Sequence, residues 1–112
     1  MSKAAKERQI MICIKEPGKQ PAVEPLFDNN LEALQKAVGG WIEAVTLCTD
    51  LVLICNEEGR LIGLPYNTTI CGHDFFGTVL AVGAKGDEFA SIKGSNVPTV
   101  LKLLAGDKEA GK

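Results

Sequence analysis

Apolar residues along this chain come in short unbroken runs parted by turn-forming residues, with one stretch at helical spacing. Residues 51–55 read Leu-Val-Leu-Ile-Cys without a polar interruption. A run with no alternation predicts a strand covered on both faces, hence a central one. Residues 56–59 are polar and close on Gly59. A second apolar run, residues 60–64, then predicts a return strand and a hairpin. Residues 9–15 hold Ile10, Met11, Ile12, Cys13 and Ile14, which predicts a first strand, ended by the turn at Pro17 and Gly18. Pro21 and Pro25 lack a backbone donor, so a strand over residues 22–27 belongs at a sheet edge.

Residues 31–38 break the pattern. Leu31, Leu34 and Val38 follow helical spacing, and Glu32 and Lys36 stand in the favourable i, i+4 order. Asn29 with Glu32 predicts a capping box, and Gly39 the left-handed stop. Residues 41–48 alternate as a strand. Residues 65–75 are the least regular stretch, with the sole Tyr and the sole His of the chain, and read as a long loop. Strands are expected at 76–82 and 88–92, joined by a turn through Gly83 and Gly86. A short helix capped by Ser95 or Asn96, with Pro98 in its first turn, ends at Gly106. The expected fold is α+β. It is a single domain over residues 9–105, with a mostly antiparallel sheet of about six or seven strands and two short helices packed on it. Residues 1–8 and 106–112 are expected to be flexible tails.

Composition narrows the function classes. Hydrophobic residues make up 46% of the 112 and charged residues 23%, enough for one core without staples. The net charge of −2 gives no long-range pull toward nucleic acid, and no basic stripe with stacking aromatics is present. No apolar run approaches the ~20 residues that span a bilayer. The apolar run behind the charged N-terminus is too short for a signal-peptide core. A cytoplasmic protein is therefore expected, with neither nucleic acid nor membrane as partner. Cys13, Cys48, Cys55 and Cys71 are expected to be reduced thiols rather than a disulfide framework.

Catalytic and metal motifs are weak. Cys71 and His73 form the lone close Cys/His pair, short of the four ligands of a closed zinc site. The same pair with Asp74 has the residue types of a thiol nucleophile and base, but no nucleophile elbow or helix start accompanies it. The glycines of residues 83–86 lack the Lys-Ser/Thr of a phosphate loop. The carboxylate pairs Glu57-Glu58 and Asp87-Glu88 sit in predicted turns, where solvated charges are expected rather than an acid/base pair. No metal and no cofactor is expected.

Several spaced segments, taken together, resemble a known family. They are Glu16-Pro17-Gly18, Leu31-Glu32-Ala33-Leu34-Gln35, Val38-Gly39-Gly40 with Ile42-Glu43, and Cys55-Asn56-Glu57-Glu58-Gly59. Gly63-Leu64-Pro65 with Asn67 and Gly77-Thr78-Val79 complete the set. The combination resembles domain-of-unknown-function family 3846, small proteins of phages, plasmids and Firmicute genomes, over roughly residues 10–92. The resemblance implies a mobile-element setting and carries no activity with it. In that setting the leading expectation is a small binding protein without enzymatic activity, acting in counter-defence by sequestering a nucleotide-like ligand. Arg60, Tyr66, Asn67, Thr68, Thr69 and His73 are the candidate ligand-binding residues, offering phosphate donors and a stacking ring. A homo-oligomer anchored by Trp41 or Phe75 is a further expectation. Two alternatives stand beside this reading: an interaction module that regulates a host protein, and a small enzyme using Cys71 and His73.

Overall fold

A computed structural model describes residues 8–106. The elements are β1 (Gln9–Lys15), β2 (Ala22–Asp28), α1 (Leu31–Val38), β3 (Ile42–Cys48), β4 (Leu51–Asn56), β5 (Tyr66–Ile70), β6 (His73–Phe76), β7 (Val79–Lys85), β8 (Glu88–Ala90) and α2 (Val97–Ala105). The tails expected at 1–8 and 106–112 lie outside the described residues, except Arg8 and Gly106, and both of these are engaged. The Arg8 carbonyl accepts the Asn29 N–H at 2.8 Å. Gly106, at φ 103°, lies so close to Thr68 that a Cβ there would collide with the threonine hydroxyl.

The main sheet runs β2-β1-β7-β4-β3, with β8 also on β7, and every pairing is antiparallel. β7 lies at its centre. β4 lines one side of it, pairing Ile54 with Leu80 and Leu51 with Gly83. The other side is divided: β1 takes residues 79–81 and β8 takes residues 83–85. A strand enclosed in this way can be apolar on both faces, which is why Val79, Leu80, Ala81 and Val82 are fully buried.

Alternation sorts the core into two layers. On one face Cys13, Leu53, Val79 and Ala81 meet Val100 and Leu104 of α2 and Ile70 and Phe75 of the β5–β6 hairpin. On the other, Ile12, Ile54, Leu80 and Val82 meet Leu34 and Val38 of α1. The fold is thus α+β, a sheet between a helix on one side and a helix plus a hairpin on the other. Among the described residues no helix is long and apolar enough to cross a membrane.

The edge position of β2 follows from its prolines. Its register with β1 slips so that Met11 faces both Pro25 and Leu26, a bulge where the proline has no donor to offer. The α1 cap is Asn30 rather than Asn29: its side-chain oxygen accepts the Ala33 N–H at 2.8 Å. Asn29 is turned inward, and its amide donates to the Phe89 carbonyl at 3.2 Å.

Two expected elements differ. Residues 60–64 form no strand, and β4 pairs with β3 and β7 instead. The Asn56 side chain accepts the Glu58 N–H at 2.8 Å and starts a turn. Local bonds from Ile62 to Glu58 (3.0 Å) and from Leu64 to Gly59 (2.9 Å) keep the segment coiled. Residues 65–75 are not an irregular loop but the β5–β6 hairpin. Its two-residue turn places Cys71 at φ 50° and Gly72 at φ 81°, both positive as a type I′ turn requires. β7 consequently starts at Val79, since Phe76 closes β6 and Gly77 turns the chain at φ 85°.

Candidate functional site

Five of the six predicted ligand residues fall into two groups on opposite sides of the hairpin, and His73 belongs to neither. Asn67 and Thr68 face inward and are buried. The Asn67 amide donates to the carbonyls of Lys15 and Gly77, each at 2.8 Å. Its oxygen accepts the Lys15 ammonium at 2.9 Å. The Thr68 hydroxyl donates to the Leu104 carbonyl at 3.1 Å, satisfying one of the carbonyls left open at the end of α2. These two side chains therefore fasten the hairpin to β1 and α2.

Arg60, Tyr66 and Thr69 face outward and come together around Asp74 and Phe76. Thr69 donates to the Asp74 carboxylate at 2.7 Å. That spends the threonine proton, so the Tyr66 hydroxyl is the donor in its 2.5 Å contact with Thr69. Arg60 reaches Asp74 at 3.7 Å and lies 4.9 Å from the centre of the Phe76 ring. Phe76 in turn meets Tyr66 edge to face. These polar groups are largely occupied with one another. His73 lies beside Phe75 at 5.8 Å between ring centres and lines the same cleft as Arg60, Asp74 and Phe76. Phe75 itself is 3% exposed and belongs to the core, whereas Trp41 is 67% exposed.

A cleft of about 360 Å³ lies between β6 and the β3–β4 pair, and it brings Cys55, His73 and Glu43 to one surface. A thiol and an imidazole in one cleft are the parts of a nucleophile and its base. Here the thiol is poorly suited to the role. Desolvation, followed by the Glu43 carboxylate, pushes the Cys55 pKa up to about 11, so at neutral pH it stays protonated and weakly nucleophilic.

That shift has a consequence for stability. A pKa higher in the folded than in the unfolded chain favours folding below the ordinary thiol value of 9.0, and the advantage is lost as pH rises through 11. Between pH 8 and 11 the wild-type chain is expected to lose about 2 kcal/mol more stability than Cys55→Ala. Urea unfolding of both proteins at the two pH values measures the difference.

The larger concavity lies at the other end of the same face. α2 packs chiefly on β1, β2, β5 and β7, leaving Val45, Leu47 and Leu51 only partly covered. Between α2 and the sheet a groove of about 700 Å³ opens, its walls formed by Leu51, Ala84, Ala90, Ile92, Val100 and Leu103. Lys85, Lys93, Asn96 and Thr99 stand around it, with Asp50 and Cys48 at one end. The Cys48 thiol donates to the Asp50 carboxylate at 3.5 Å. Neither Lys85 nor Lys93 has an ion-pair partner among the described residues. This groove was invisible in the sequence, because its walls come from positions between 48 and 103 that share no motif. The one available signal was a pair of lysines flanking β8.

Among the described residues no group of three or more His, Cys, Asp or Glu side chains is placed to hold a metal ion. No curated protein and no solved structure matches the chain. Residues 10–105 match the family model described as Domain of unknown function (DUF3846), and with most of its length inside that match the chain belongs to this family.

Proposed function

We propose that this chain is a binding protein without catalytic activity, and that it holds a small organic anion with an apolar or planar body in the groove beside α2. The observation that carries the proposal is the groove itself: about 700 Å³ with largely apolar walls and two lysines without ion-pair partners among the described residues. A cavity of that size is in the range that encloses small ligands, with a few polar groups fixing their orientation. Leu51, Ile92, Val100 and Leu103 offer a surface for a ring, and Lys85 and Lys93 offer charge for phosphate or carboxylate. A nucleotide-like ligand has both parts. In a mobile-element setting its sequestration would serve counter-defence. The raised pKa of Cys55 counts against that one thiol as a nucleophile.

A melting-temperature screen tests this, using mononucleotides, cyclic dinucleotides, ADP-ribose derivatives and a fatty acid. A ligand present at about 100 times its dissociation constant adds about 2.7 kcal/mol. For a domain of this size that is a rise on the order of 10 °C. Lys85→Glu with Lys93→Glu is expected to abolish the rise, and Arg60→Ala with His73→Ala to leave it intact. A flat response to the three nucleotide classes overturns the nucleotide reading. A response lost in the hairpin variants but kept in the lysine variants moves the site to β5–β6.

A further inference from the structure

Among the described residues β3 is an edge strand, paired in the sheet with β4 alone. The Trp41 carbonyl accepts the Glu57 N–H at 2.8 Å, just before the pair Ile42–Asn56. In an antiparallel ladder such bonded positions alternate. Glu43 and Val45 therefore turn their backbone groups toward β4, and Ile42, Ala44 and Thr46 turn theirs away from the sheet. The register is regular until the bulge between Thr46 and Cys48. The two edges of the sheet are not treated alike. β2 carries Pro25 inside a bulge, which blocks strand addition. The regular run of β3, Ile-Glu-Ala-Val-Thr, carries no proline and no lysine.

We infer that β3 pairs with β3 of a second copy of this chain, antiparallel, about a two-fold axis through Ala44. This register sets Ile42 opposite Thr46, Glu43 opposite Val45 and Ala44 opposite its own copy. Every outward-facing backbone group of residues 42–46 then gains a partner. Glu43, the one charge in the run, meets an apolar residue instead of a like charge, so the strand is electrostatically compatible with itself. Ala44 is small and exposed, which lets the two strands close at the axis. The two sheets become continuous, a self-complementary interface of the kind a two-fold dimer needs. Half-buried Val45 and Leu47 gain cover, and exposed Trp41 comes level with Leu47 of the second copy.

The register makes the test specific, because residue 44 meets only residue 44. Sedimentation equilibrium is expected to give a dimer for the wild-type chain. Ala44→Lys and Ala44→Glu are each expected to be monomers with an unchanged far-ultraviolet spectrum, since like charges then meet at the axis. Mixing the two variants is expected to restore the dimer. In a Cys48→Ser, Cys71→Ser background, oxidation of Ala44→Cys is expected to give a covalent dimer, the facing Cα atoms of such a pair being about 5.5 Å apart. Emission of the single tryptophan, Trp41, is expected to shift to the red on dilution. A wild-type monomer at the highest concentration reached, a dimer that survives Ala44→Lys, or a mixture that stays monomeric overturns the inference. Should the charged variants unfold, the cysteine variant decides: a covalent dimer supports the pairing, and its absence overturns it.

Discussion

Asn67→Ala is expected to lower the unfolding free energy by about 3 kcal/mol or more, since a hydrogen bond to a charged group alone carries roughly 1.5–3 kcal/mol. The substitution removes three bonds at once. The Lys15 ammonium loses its side-chain acceptor and keeps the Glu16 carbonyl at 3.2 Å. The carbonyls of Lys15 and Gly77 lose their donor. Burial already holds the Lys15 pKa below its usual value, so the site is poor in solvent to replace what is lost. Asn67→Asp is not expected to rescue stability. It would offer a carboxylate to Lys15 while setting acceptor against acceptor at both carbonyls. Lys15→Met combined with Asn67→Ala is expected to cost less than the sum of the single changes, by about 1–3 kcal/mol for directly bonded groups. Urea denaturation of the wild-type chain, the two single variants and the double variant measures this coupling. Since Asn67 lies away from the groove beside α2, any variant that remains folded is expected to keep its ligand response.

Gly83→Ala is expected to cost about 3 kcal/mol, the upper end for overpacking in a core. The reason is a close approach between backbones. A Cβ at Gly83 would collide with the Ser91 carbonyl and stand 3.0 Å from that of Ala90. Those groups have little room to retreat, because Met11 bonds the Ser91 hydroxyl at 2.9 Å and the Ile92 N–H at 2.9 Å. Any shift of this segment also displaces Ile92 and Lys93 of the groove, so ligand affinity should fall with stability. Gly94→Ala is the control. A Cβ there meets nothing within 4 Å, and its φ lies outside the restricted region, so a change within about 0.5 kcal/mol is expected. Thermal unfolding of both variants separates a packing role from a general dislike of losing glycine.

The parts of the fold that could be read from the sequence are those where pattern and burial agree. Leu34 and Val38 at helical spacing, stopped by Gly39, gave α1. The unbroken run at residues 51–55 gave the inner strand β4, and the prolines gave the edge strand β2. The reading failed where apolar residues are exposed and polar ones are buried. Leu61 is 84% exposed, so the apolar run that suggested a return strand has no core to join. Asn67 and Thr68 are buried polar groups whose partners lie on β1, the turn after β6, and α2. Sequence polarity marks a group that needs hydrogen bonds but not whether ligand or protein supplies them. The β5–β6 turn was missed because Cys-Gly lacks the usual Asn-Gly signature, although Cys71 adopts the same positive φ.

The divided side of β7 sets an order of assembly. Its upstream partners, β1 and β4, have been synthesised and are waiting before β7 exists, and neither pairs with the other. β1–β2 and β3–β4 are two separate hairpins until β7 joins them through Cys13–Ala81 and Leu53–Ala81. On an emerging chain the sheet can therefore close only once β7 has been made. Such long-range pairing is slow to form, and until then the unpaired margins of both hairpins are open to other chains. A nascent chain released before residue 79 would carry those open margins and no means of joining them. The quality of expression should thus depend on how quickly residues 79–85 follow the two hairpins.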